Sequence, residues 1–204
     1  MNFTLCHLDD HLLIVNKPAG LLSVPGRGPD KADCVAARVQ AVYSDALVVH
    51  RLDMATSGLL LFARGLDMQR ALSRLFETRQ VHKEYLADVA GELPEQGSID
   101  LPLIADWPNR PRQQVDWTHG KPSLTHYQRL SYDPVQDISR VLLLPVTGRS
   151  HQLRVHLSAI GHPILGDIFY DGRPATRLHL HASRLSLPHP VTSEGLEVQS
   201  PADF

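Results

Sequence analysis

The chain has 204 residues, 43% of them hydrophobic and 21% charged, enough to bury a core of its own in one globular domain. Its 20 basic and 22 acidic residues give a formal charge of -2 with the 12 histidines neutral, a balance that by itself counts against a nucleic-acid partner. The longest apolar runs, such as Gly58–Ala63, fall far short of the roughly 18 residues of a membrane span, so no membrane partner is expected. Met1–His7 carries no basic segment ahead of Asp9 and Asp10, unlike a secretory leader, and Cys6 and Cys34 are too few for a disulfide framework. A reducing, cytoplasmic setting is expected.

No fixed-period repeat or low-complexity tract interrupts the chain. Leu12–Val15 predicts a strand stopped at Asn16–Gly20, and Leu21–Val24 a second strand before the turn-rich Pro25–Pro29. Asp33 reads as the N-cap of a helix whose Val35, Val39, Val42 and Tyr43 point inward. Ala46–Val49 and Gly58–Ala63 read as strands bracketing the polar turn His50–Ser57. A helix over Leu66–Thr78 would bury Ala71, Leu72, Leu75 and Phe76 and leave Arg70 and Arg74 in solvent. Lys83–Val89 predicts a strand with Tyr85, Ala87 and Val89 on one side.

The proline-rich stretch Gly91–Arg129 reads as an irregular excursion, followed by a short strand at Val141–Leu144. Ser150 would cap a helix burying Leu153, Leu157 and Ile160, its polar side rich in Arg and His, ended by Gly161 and Pro163. Arg177–Leu187 alternates Leu178 and Leu180 with His179, His181 and Ser183, as a half-buried strand would. The sum is an α+β fold: a mixed, mostly antiparallel sheet with three main helices and loops around a central cleft.

Charge is unevenly spread. Arg149–His189 holds Arg149, Arg154, Arg173, Arg177 and Arg184 against only Asp167 and Asp171, whereas acids gather in Glu84–Asp106 and near the C-terminus. That distribution accommodates a basic face hidden by the average, and equally an ordinary mixed surface. The most informative segment is His50–Gly58, a polar turn wedged between apolar strands, where catalytic groups are commonly placed. On local physics alone, the commoner role of such an aspartate is to stabilise the turn, and Asp53 fits that role.

Several segments, in chain order, resemble the RluA-type pseudouridine synthase family. His50–Leu60 is similar to its signature loop, Val15–Leu21 to its N-terminal strand motif, Lys83–Tyr85 to its tyrosine motif and Thr147–His156 to its arginine motif. Gly161–Asp167 and Leu180–Ala182 resemble motifs further on. Leu22–Arg27, Asp106–Pro111 and Pro201–Phe204 narrow the likeness to the branch with dual specificity for large-subunit ribosomal RNA and tRNA. The resemblance implies one catalytic domain over residues 1–204, with no room for the N-terminal S4 domain of some relatives.

It further implies an isomerase that breaks the N1–C1′ bond of uridine, turns the base and joins C5 to C1′, with no cofactor and no metal. Substrates would be RNA stem-loops, taken by a monomer. Asp53 resembles the essential carboxylate, acting at C1′, at C6 or through a glycal. Arg154 resembles its arginine partner, which would keep that carboxylate ionised. Tyr85 resembles the tyrosine that lies against the target base, although a lone strand aromatic is by default core. Arg51 resembles the residue that fills the space of a flipped uridine, and a planar guanidinium suits that task. Arg70, Arg74, Arg149 and His151 are expected to contact RNA.

The histidines also raise a metal reading through His179 and His181, disfavoured because Cys ligands are absent and acids do not cluster nearby. No Gly-x-x-x-x-Gly-Lys loop or Gly-x-Ser-x-Gly elbow occurs. An RNA-binding module without chemistry and an RNA N-glycosidase remain the competing functions.

Overall fold

The computed structural model describes residues 3–28 and 31–204; Met1 and Asn2, and Pro29 at the end of the expected turn, lie outside the described residues. The first elements are β1 (Thr4–Leu8), β2 (Leu12–Lys17), α1 (Val35–Gln40), β3 (Ala46–Val48), β4 (Ser57–Arg64), α2 (Leu66–Glu77) and β5 (His82–Ala90). They are followed by β6 (Gln96–Asp100), β7 (Leu103–Ala105), β8 (Gln113–Val115), β9 (Leu124–Asp133) and β10 (Ile138–Pro145). The last are α3 (Gln152–Ala159), β11 (Leu180–Pro188) and β12 (Gly195–Gln199). The fold is α+β, with mixed but mostly antiparallel strand pairing and three helices among the described residues. Two compact units emerge from the contacts, residues 1–83 with 181–203, and residues 84–180 with 204.

In the first unit β2 lies between β1 and β4, antiparallel to both, and its run Leu12–Val15 is buried on both faces. A strand flanked on both edges and covered on both sides has no solvent face, so continuous rather than alternating apolar sequence is what it requires. β3 is antiparallel to β4, β11 runs parallel to β4 and β12 is antiparallel to β11. Leu12, Ile14, Leu59, Leu61, Leu72, Leu185 and Val198 form one core, with Leu75 and Phe76 of α2 laid against it. Arg70 and Arg74 stay on the exposed face of α2, as its periodicity requires.

Gly58 makes the parallel β4–β11 pairing possible. Its φ is +111°, and a Cβ there would stand 2.3 Å from the carbonyl oxygen of Ala182 and 2.5 Å from its nitrogen. Gly58→Ala is therefore expected to destabilise the fold by about 1–3 kcal/mol, measurable as a lowered urea midpoint. An unchanged midpoint would contradict this backbone approach.

In the second unit β5, β10, β9 and β6 form an antiparallel path, and β7 pairs with β8 in a separate two-stranded sheet. Here the structure corrects the sequence reading most: the proline-rich excursion holds four strands, β6, β7, β8 and the start of β9. Its prolines stand at strand ends and turns, where no ladder hydrogen bond needs their missing N–H.

Other corrections are local. Leu21–Val24 joins no sheet strand; the carbonyls of Leu22 and Ser23 accept from Val35 and Ala36 and tie the segment to the start of α1. Cys34 rather than Asp33 caps that helix, its Sγ accepting from Ala37, while Asp33 pairs with Arg38. The helix ends at Gln40, which leaves Val42 exposed. His151, not Ser150, is the N-cap of α3, in the left-handed region at φ +53°. Gln152–Leu157 is buried all round, so the side of α3 expected in solvent carries Arg154 and His156 inside, and Ile160 is the exposed one. The alternation of β11 is likewise incomplete, since His181 is buried along with Leu180 and Ala182.

Candidate active site

In the first unit, the loop between β3 and β4 is fixed at both flanks of Asp53. The Ser23 hydroxyl donates to the Leu52 carbonyl (2.7 Å) and accepts from the Leu52 amide (3.0 Å). On the other side, the fully buried Lys17 ammonium donates to the carbonyls of Pro18, Leu21 and Met54 at 2.9, 2.7 and 3.0 Å. Burying an ammonium is tolerable only with such acceptors converging on it. The backbone adds Gly20 N–H to the Met54 carbonyl and Thr56 N–H to the Asp53 carbonyl. It is thus Asp53's backbone carbonyl that closes the turn, and its half-buried side chain stands on a rigid scaffold. The sequence placed Lys17 at a strand end and within the Val15–Leu21 segment without a role of its own; a lysine two residues beyond four core residues was the available signal.

His50 opens the loop. Its ring packs on Phe76 (centroids 4.8 Å), and its Nε2 accepts from the Leu61 amide at 3.0 Å. Burial, with the Lys83 charge adding to it, pushes this imidazole down to about 3, so it remains a neutral acceptor. Lys83, itself lowered by burial, lies over the Phe76 ring at 5.9 Å. Arg51 is exposed and lies two residues before Asp53 on the same loop, and Arg70 pairs with the exposed Asp67 one turn away on α2 (3.2 Å).

In the second unit, Arg154 is 3% exposed, opposite to the fate of an ordinary surface helix arginine. Its Nε and one terminal nitrogen donate to the two oxygens of Asp167, each at 2.7 Å. The rings of Phe169 and Tyr170 stand 5.3 and 5.2 Å from the guanidinium. Asp167 also accepts from the Phe169 amide (2.9 Å), so its carboxylate is held from two directions. Sequence reading passed over it, although Asp167 ends the Gly161–Asp167 segment that resembled a family motif.

Tyr170 ties this cluster together: its hydroxyl meets His151 Nδ1 at 2.7 Å and accepts from the Gln113 amide at 2.8 Å. Ahead of α3, the Gln152 side-chain oxygen accepts from the Arg149 amide (3.0 Å) and the Thr147 hydroxyl (2.8 Å), fixing the turn that exposes Arg149. Arg149, His151 and Arg154 are therefore gathered at the N-terminal end of α3. Tyr85 is half-buried on β5, paired in register with Leu143 of β10.

The basic stretch near the C-terminus is less free than its composition implies. Arg173 is held by Asp137 (2.5 Å) and Arg184 by Glu197, so both charges are locally balanced. His179 and His181 have separate duties: His179 Nδ1 meets Asp88 at 3.0 Å, while His181 Nδ1 meets the Ser57 hydroxyl at 2.8 Å.

The family pattern of the RNA pseudouridylate synthases matches residues 11–159, and the chain belongs to that family. It is an RNA pseudouridine synthase, an isomerase. Among its relatives, the dual-specificity RNA pseudouridine synthase RluA of Escherichia coli (strain K12) is 50% identical over 201 residues, covering 96% of this chain and 91% of the relative. The protein of that name from Pasteurella multocida (strain Pm70) is 50% identical over 203 residues, covering 97% and 92%. The solved structure of human RNA Pseudouridylate Synthase Domain Containing 1 superposes with a TM-score of 0.82 at 31% identity, covering all of this chain and 84% of that one. Human RNA Pseudouridylate Synthase Domain Containing 4 follows at 0.78 and 28%, covering 98% and 88%.

Proposed function

We propose that this synthase has dual specificity, isomerising uridines in large-subunit ribosomal RNA and in a tRNA anticodon stem-loop, with Asp53 as its essential carboxylate. The observation that carries the residue assignment is the Asp53 loop, fixed by Lys17 on one flank and Ser23 on the other. Half-identity to relatives named for dual specificity supports the substrate range.

Isomerisation retains its leaving group. Hydrolytic glycosidases employ two carboxylates because a departing group must be protonated and a water activated. When uracil is detached from C1′, turned and rejoined through C5, no water is consumed, and one carboxylate suffices. Asp53 acts by attack on C1′ or C6 or by assisting a glycal; Tyr85 helps remove the C5 proton, and Arg154 supplies a fixed positive charge. Incubation with uridine-labelled anticodon stem-loop and ribosomal RNA fragments tests the reading. Pseudouridine in both, without free uracil, is expected. Release of uracil, or retention of unaltered RNA, would overturn it.

Arg51 and Arg70 are assigned different tasks. Arg70, with 76% of its side chain exposed, contacts phosphate, so Arg70→Ala should weaken binding to all RNAs alike and flatten the log-log salt dependence by about 0.7. Arg51 occupies the space of the flipped uridine, so Arg51→Ala should lower kcat more than affinity. Equal affinity losses with equal turnover at saturating RNA would remove that role from Arg51.

A further inference from the structure

We infer that the β7–β8 hairpin is a stacking platform for unpaired nucleobases of the substrate RNA, built on Trp107, Arg110 and Trp117. The inference rests on the RNA-modifying function and extends it to a loop outside the proposed catalytic residues. Large aromatics are normally buried, yet Trp107 is 68% exposed and Trp117 74%. They are the chain's two tryptophans, and both stand at this hairpin.

Trp107 is already half of a stack. The Arg110 guanidinium lies 3.6 Å from its ring centroid, a contact distance for a flat cation on a π-face. The loop is stiffened beneath them: the Asp106 carboxylate accepts from the Asn109 side-chain amide at 2.9 Å, and backbone bonds link Asn109 to Asp106 and Arg112 to Asn109. The second acid, Asp116, is turned to its own backbone, accepting from the Thr118 and His119 amides at 2.8 and 2.7 Å. Among the described residues neither Arg110 nor Arg112 is paired with a carboxylate. The acids are spent on loop geometry, while Arg110 is exposed and Arg112 half-buried.

The hairpin is anchored to the Arg154 cluster. The Gln113 amide donates to the Tyr170 hydroxyl, and the Arg112 guanidinium lies 5.6 Å from the same ring. Tyr170 also faces Arg154, so the platform and the α3 arginine share one rigid support. Exposed rings beside unpaired cations, with exposed Asn109, Gln114, Thr118 and His119 around them, lack the apolar centre of a protein-docking patch. They have the two ingredients of single-stranded nucleic-acid binding, a π-face for a base and a cation for its phosphate. Duplex bases, stacked on each other, have no face to offer.

Because the two tryptophans are the only ones, fluorescence reads the contact directly. In Trp117→Phe, Trp107 is the sole reporter, and an anticodon stem-loop RNA is expected to quench it while a fully paired duplex of the same length does not. Trp107→Ala should raise the Kd for the stem-loop by about five- to a hundredfold, Trp107→Phe should restore much of the affinity, and kcat at saturating RNA should be unchanged. Because stacking releases no counterions, the salt slope should also be unaltered, unlike that of Arg70→Ala. Unquenched Trp107, an unchanged Kd, or the same loss on duplex as on stem-loop RNA would overturn the platform. Absence of pseudouridine from the wild-type reaction would instead overturn the functional reading beneath it, and the two failures are distinct.

Discussion

Asp53→Asn is expected to lower pseudouridine formation by at least about a thousandfold while leaving the Kd for RNA nearly unchanged. Asparagine keeps the size and planar shape of the side chain but removes the charge and electron pair that act on the uridine. The loop keeps several fixed points through the substitution: Lys17 on the Met54 carbonyl, Ser23 on both polar groups of Leu52, and the Thr56 amide on the Asp53 carbonyl. None of these uses the Asp53 carboxylate. Single-turnover measurement with enzyme in excess, alongside a binding titration, separates the two quantities. Turnover within tenfold of the parent would remove Asp53 from its role, and a parallel collapse of binding would show that the substitution had disturbed the loop.

Asp167→Ala is expected to destabilise the second unit's α3 region by about 3–5 kcal/mol, because it takes from the buried Arg154 guanidinium the carboxylate that accepts from two of its nitrogens. Both partners are almost wholly removed from solvent, at 3% and 2% exposure, so water cannot take over the lost hydrogen bonds. The Phe169 amide would lose its acceptor as well. The paired replacement Arg154→Met with Asp167→Leu should recover most of that stability, since it removes both charges together. It should not recover turnover. Recovered folding without recovered activity assigns the arginine to the reaction; recovery of both would reduce the pair to a structural clamp. Chemical denaturation supplies the first readout and pseudouridine yield the second.

The segments around Asp53, Tyr85 and Arg154 stood out in the amino-acid sequence through their resemblance to family motifs in chain order, because on local chemistry alone a turn aspartate, a strand tyrosine and a helix arginine each have an ordinary structural role. The strands β2 and β4 and the helix α2 were legible too, since a continuous apolar run or a 3.6-residue period expresses burial directly in residue order. The proline-rich stretch was not, because β7 and β8 have three residues each, too few to show a period, and β6 is a five-residue strand held by β9 further along the chain, with Ser98 opposite His126. Local sequence set the turn chemistry there and tertiary pairing decided the strands.

Helix α3 shows the same division. Its residue order predicts a helix with Arg154 and His156 on a polar side, and both belong inside only because partners await them: Asp167 accepts from the arginine, the Leu101 carbonyl accepts from His156 Nε2, and the Thr125 hydroxyl meets His156 Nδ1. Lys17 is the sharpest case, fully buried because three carbonyls from Pro18, Leu21 and Met54 converge on one ammonium. Sequence by itself determined which groups are present and which elements carry them, because propensity and periodicity act over a few residues. The tertiary structure alone decided which charges are buried, because the free energy of an ionised group depends on partners brought to it by the fold.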